Sequence, residues 1–86
     1  MDSYSVRFLR TAEKDLRRIE KSRIPTIFEA IESLKENPRP TGYRKLVGSE
    51  SAYRIRVGDY RVIYTIEDTI RIVEINRIRH RKDVYR

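Results

Sequence analysis

Apolar positions in this chain recur with two periods, and the change from one to the other marks out its elements. Tyr4-Ser5-Val6-Arg7-Phe8-Leu9 alternates apolar and polar residues as a strand does. A spacing of three and four follows. Thr11 can cap a helix running to about Lys21 that carries Ala12, Leu16 and Ile19 on one stripe. A second helix can start at Ser22, with Pro25 tolerated in its first turn. Ile24, Ile27, Phe28, Ile31 and Leu34 form its amphipathic face. Asn37-Pro38-Arg39-Pro40 stops it, because neither proline can continue a helix. Two helices joined this closely predict an αα-hairpin.

The period returns to two in the second half. Residues 41–52 read as a loop, interrupted by a short strand start within 43–47. Tyr53-Arg54-Ile55-Arg56-Val57-Gly58-Asp59-Tyr60-Arg61-Val62-Ile63-Tyr64 then alternates on both sides of a two-residue Gly58-Asp59 connection, the pattern of a β-hairpin. Its register sets Val57 opposite Tyr60, Arg56 opposite Arg61, Ile55 opposite Val62 and Tyr53 opposite Tyr64. Glu67-Asp68 marks another turn, into a strand from Thr69 to about Ile78. That strand is apolar at Ile70 and Ile72 and again at Val73 and Ile75, and a bulge near Val73-Glu74 would reconcile the two parities. The order β-α-α-β-β-β over residues 1–86 predicts a single α+β domain, a helical hairpin packed on one face of an antiparallel sheet.

Alternation also sorts the hairpin's chemistry. Tyr53, Ile55, Val57, Tyr60, Val62 and Tyr64 share the face the helices should cover, while Arg54, Arg56 and Arg61 share the other. Like charges directly opposite one another destabilise a sheet. A multiply anionic ligand explains their assembly better than stability does, and phosphate suits the planar guanidinium fork. The alternative is a solvated outer face whose arginines pair with nearby acids.

The whole-chain charge agrees: 20 Lys and Arg against 13 Asp and Glu give a formal net charge of +7 and a pI near 10.1. That balance favours nucleic acid, an anionic surface or an acidic protein as partner. Without cysteine there is no disulfide framework or thiolate metal site. One His and no paired-carboxylate motif predict a chain without metal or other cofactor. No apolar run approaches spanning length, so a cytoplasmic protein is expected, with no membrane partner.

The tail from Arg77 to Arg86 adds the only His, His80, and an aromatic, Tyr85, to a run of cations. RNA can be cleaved without metal when a base activates the 2′-hydroxyl, cations stabilise the phosphorane and an acid protonates the leaving 5′-oxygen. Surrounding cations favour a phenolate, which makes Tyr85 a candidate base, with an anchoring role for its ring as the alternative. His80 is a second titratable candidate, or a surface histidine. Arg44, Lys45, Arg81 and Lys82 are candidate RNA contacts, or ordinary loop charges.

Taken together, Lys45-Leu46, the segment 53–64 and His80-Arg81-Lys82-Asp83-Val84-Tyr85 resemble the RelE/ParE superfamily of toxins, and its RelE branch in particular. The resemblance runs over nearly the whole chain. It implies the RelE-like microbial ribonuclease fold, and a ribosome-dependent endoribonuclease that cuts mRNA in the ribosomal A site. It also implies a cognate RelB-like antitoxin that masks the basic surface. The family's catalytic positions correspond to Arg54, Arg56, Arg61, Arg79 and Tyr85, with Arg79 and His80 as alternative general acids. The founding member has lysines where Arg54 and Arg56 stand. Arginine keeps its proton, so here those positions bind phosphate or stabilise charge. Two other functions fit the same basic face: a ParE-like inhibitor of gyrase without nuclease chemistry, and a noncatalytic RNA-binding module.

Overall fold

The computed structural model describes residues 3–49 and 51–82. Strand β1 is Ser5–Phe8, helix α1 Arg10–Arg18, and a single 3-10 turn at Lys21–Arg23 leads into helix α2, Ile24–Ser33. Strands β2 (Arg44–Lys45), β3 (Ala52–Val57), β4 (Tyr60–Glu67) and β5 (Ile72–His80) complete a five-stranded sheet of order β1-β5-β4-β3-β2. Pairing is antiparallel from β2 through β5, as expected, and β1 joins β5 in parallel, which makes the sheet mixed.

The β3–β4 hairpin has the register its alternation predicts, Tyr53↔Tyr64 through Val57↔Tyr60. Gly58 has φ 61° while Asp59 stays out of the left-handed region, the combination a type II′ turn requires. Two apolar layers close over one face. Ala12 of α1 and Ile19 at its C-cap, with Ile27 and Ile31 of α2 and Leu34 at its C-cap, pack with Ile55, Val62, Tyr64, Val73, Ile75 and Ile78 of the sheet. Phe28 lies at the margin of that face, 40% exposed, and meets Phe8 edge-on at 5.9 Å.

The sequence expectation is corrected at three places. Thr11 does not cap α1: Leu9 holds the N-cap position, and Thr11 Oγ1 donates instead to the Asn76 carbonyl at 2.7 Å. The last strand begins at Ile72 rather than Thr69. Residues 68–71 form the turn before it, Arg71 takes φ 57°, and Ile70 is left 61% exposed. The bulge falls at Asn76, not at Val73-Glu74: Ile63 opposes Arg77 and Tyr64 opposes Ile75, so Asn76 is the additional residue. This bulge turns the core parity from Val73 and Ile75 to Ile78.

Two polar clusters hold the pieces that surround the basic face. The segment after α2 is tied down by Arg39, whose guanidinium donates to both Asp68 oxygens at 3.3 and 2.9 Å and sits 5.6 Å over the Tyr53 ring. Tyr4 donates to the same carboxylate at 2.6 Å, and buried Tyr64 donates to the Pro38 carbonyl at 2.7 Å. On the other side β1 ends at its pairing with Ile75, and α1 takes over the exposed edge of β5. Asp15, one helical turn after Thr11, accepts from Arg77 Nε and Nη2 at 2.9 and 3.2 Å and from the Ile78 N–H at 2.9 Å. Side chains from a helix thus satisfy a strand edge that would otherwise stand open.

Candidate RNA-binding face and its relatives

The face away from the core places Arg54 and Arg56 of β3, Arg61 of β4 and Arg79 of β5 on one side of the sheet. Arg56 pairs with Arg61 and Arg61 with Arg79, so three guanidiniums stand in one row across three strands. Arg44 of β2 pairs with Arg54 and extends the set. Arg44, Arg54, Arg56 and Arg61 line an open basin of about 550 Å³ that reaches round to Ala30 and Ser33 of α2 and is bordered by Pro40, Thr41 and Gly42. The Arg39–Asp68 anchor holds the chain just before that border.

The same face shows what ordinary sheet electrostatics look like. At its β1 end Arg7 pairs with Glu74 at 3.7 Å. Among the described residues none of Arg44, Arg54, Arg56 and Arg61 makes a side-chain ion pair or hydrogen bond. Opposed, uncompensated cations lower stability, and the arrangement matches a surface built for phosphate.

The tail residues divide. Arg79 is level with the row, whereas His80 opposes Tyr60 and meets its ring edge-on at 5.1 Å. His80 Nδ1 accepts the Lys82 N–H at 3.2 Å. Arg81 lies 3.6 Å from Asp59 at the hairpin turn, and its N–H donates to the Asp59 carbonyl at 2.7 Å. Lys45 pairs with Tyr53 and so belongs to the face opposite Arg44 and Arg54. Lys45, Arg81 and Lys82 are exposed, and none of them borders the basin. Tyr85 lies outside the described residues. Among the described residues no group of three or more His, Cys, Asp or Glu side chains could hold a metal ion.

The titrations with a resolved shift belong to the supports of the face. Burial raises the Asp15 carboxyl, but hydrogen bonds from Arg77 and the Ile78 N–H, with the charges of Arg77 and Arg79, outweigh it and hold it below its ordinary value. Asp68 is held at about 2, first by the Arg39 hydrogen bonds and then by that from Tyr4. Burial pushes Tyr64 up to about 12, so it stays a neutral core residue. Sequence reading missed Asp15 and the Arg39–Asp68 pair. Asp15 carried a faint signal, an acid four residues after Thr11, one turn along the same face of the helix.

The model of the family described as "ParE toxin of type II toxin-antitoxin system, parDE" matches residues 6–85. The chain belongs to the RelE/ParE toxin superfamily. Its relatives place it on the RelE-like branch. It is 34% identical to the putative toxin RelE1 of Methanocaldococcus jannaschii, with 96% of each chain covered. Toxin RelG of Mycobacterium tuberculosis is 38% identical over 96% of this chain and 97% of its own. Among solved structures, a chain of the archaeal RelE–RelB complex from Pyrococcus horikoshii superposes with a TM-score of 0.80 at 28% identity, covering 92% of this chain and 96% of that one. The chain is therefore a type II toxin with the RelE fold. No helix among the described residues is long and apolar enough to cross a membrane.

Proposed function

We propose that this toxin is a ribosome-dependent, metal-independent endoribonuclease that cleaves mRNA in the A site. The observation that carries the reading is the set of uncompensated arginines, Arg54, Arg56 and Arg61, with Arg79 level with Arg61. In this reading the scissile phosphate lies over the row. The 2′-oxygen attacks phosphorus and gives its proton to the Tyr85 phenolate. The P–O5′ bond breaks, leaving a 2′,3′-cyclic phosphate and a 5′-hydroxyl whose proton comes from His80 or Arg79. Arg56 and Arg61 neutralise the charge that builds on the phosphorane oxygens. Arg44 contacts flanking RNA from the same face, and Arg81 and Lys82 contact it beyond the end of β5, while Lys45, on the other face of β2, takes no part.

A small domain offers too little surface to hold a flexible RNA in line for attack, which is why the ribosome is required. The partner that restrains the toxin is a RelB-like antitoxin, as in the complex from Pyrococcus horikoshii. Its acidic or helical segments cover the Arg54/Arg56/Arg61 face.

Induction in growing cells tests the reading. Primer extension should show new mRNA ends within translated codons while DNA supercoiling stays normal. Intact transcripts with stalled gyrase would establish the ParE-like alternative. RNA that is bound but never cut would leave a binding module. In the tail, Tyr85→Phe should abolish cutting while binding to ribosome and antitoxin persists. His80→Ala should match that loss only if His80 is the general acid.

A further inference from the structure

A second cavity, of about 460 Å³, opens between α1 and the edge of β5, and Asp15, Arg18, Tyr60, Arg77, Arg79 and His80 line it. Its three arginines outnumber its one carboxylate, Asp15. That side chain is only 12% exposed, and its oxygens are engaged by Arg77 and the Ile78 N–H. Arg18, in the last turn of α1, is exposed and makes no ion pair with any described residue. Because His80 Nδ1 accepts the Lys82 N–H, the neutral ring carries its proton on Nε2, which is then a donor.

Arg79 connects the two cavities. It lines this one and stands opposite Arg61, which lines the first. From Arg56 on β3 to Arg79 on β5 the basic row crosses two strand spacings, about 9.6 Å in all. A nucleic-acid strand advances only about 3.4 Å per nucleotide along a duplex axis, so the row is long enough for more than one phosphate.

We propose that the α1–β5 cavity is a second phosphate subsite, in which Arg18, with whichever of Arg79 and His80 Nε2 is not the general acid, takes a phosphodiester of the RNA strand whose scissile phosphate lies over Arg54, Arg56 and Arg61. The strand then runs across the sheet rather than along it, from the basin towards α1. The identity of the strand rests on the ribonuclease reading; the subsite itself rests on the cavity and its cations.

The test uses the full-length toxin and a fluorescent single-stranded 2′-O-methyl RNA hexamer, which has no 2′-hydroxyl to attack. Its affinity is measured between 50 and 300 mM salt for wild type, Arg18→Ala, Arg18→Lys, Arg61→Gln and Arg10→Ala, the last an α1 cation outside the cavity. Each lost phosphate contact lowers the slope of log affinity against log salt by about 0.7 for a single strand. Arg18→Ala should lose about 0.7 of slope and about threefold to fivefold in affinity. Arg18→Lys should recover most of both, and Arg10→Ala should match wild type. If Arg18→Ala instead matches Arg10→Ala while Arg61→Gln weakens binding, the second subsite is wrong and the first basin stands. If Arg61→Gln also has no effect, or wild type does not bind, both the subsite and the phosphate reading of the face are overturned.

Discussion

Replacing Arg61 by glutamine should stabilise the free toxin while destroying its activity. Arg61 is the middle member of the row, opposite Arg56 on β3 and Arg79 on β5. Each directly opposed like pair costs about 0.2–1 kcal/mol, and Arg79 already meets the charge of Asp15, so relieving the opposition to Arg56 returns roughly 0.5 kcal/mol. Glutamine keeps much of the aliphatic stem, which leaves the change mainly electrostatic. For a domain of this size roughly 0.5 kcal/mol raises Tm by about 2–4 °C. Exposed charges are screened within a Debye length of about 10 Å at 0.1 M salt and about 3 Å at 1 M. The gain should therefore be largest in dilute buffer and fade towards 1 M. Calorimetry of the antitoxin-free protein at the two salt concentrations gives the stability. Single-turnover cleavage should fall on the order of a hundredfold to a thousandfold, the usual loss for one positioned donor. A lower Tm for Arg61→Gln at every salt concentration would mean that Arg61 has a stabilising partner, and the argument from uncompensated charge would fail.

Three further outcomes follow from the supports of the face. Asp15→Ala should cost about 2 kcal/mol in urea unfolding, because it strips Arg77 of a carboxylate and leaves the Ile78 N–H without its acceptor. Tyr64→Phe should cost about 1–2 kcal/mol by the same measurement, since the buried Pro38 carbonyl loses its donor. Asp68 titrates lower in the folded protein than in the unfolded chain, so its contribution is complete above the unfolded carboxylate value of about 3.9. It is lost as pH falls through that value towards about 2. Urea midpoints of wild type should decline over that window, and those of Asp68→Asn should decline less. Association with the antitoxin should slow as salt rises, because long-range attraction to a basic face is screened; an association rate indifferent to salt would count against an acidic partner on that face.

What was legible in the chain was local. The hairpin register is set by a two-residue turn and period-2 alternation, and a one-residue slip would send Arg54 and Arg56 into the core. The helix stripes are equally local, as are the prolines that stop α2. The parallel pairing of β1 with β5 joins Ser5 to Ile72 across most of the chain, and no local pattern encodes it. The clash of parity at Ile72 and Val73 marked the start of β5 after a turn and not a bulge, and the bulge at Asn76 goes with the place where α1 offers Thr11 and Asp15 to the strand edge. Thr11 reads as a cap for the same reason: a hydroxyl at a helix start suits either role, and the uncovered edge of β5 decided between them. Arg54, Arg56 and Arg61 were visible as a set, whereas which of the neighbours Arg79 and His80 joins their face depended on the bulge at Asn76.

The central claim is tested most directly by cleavage of one mRNA, naked and on programmed ribosomes in the same magnesium buffer, with the product ends identified. Cutting is expected only on the ribosome, with a 2′,3′-cyclic phosphate on the upstream fragment and a 5′-hydroxyl on the downstream one. Equal cutting of naked RNA, or the 5′-phosphate and 3′-hydroxyl ends that a metal-activated water leaves, would contradict it.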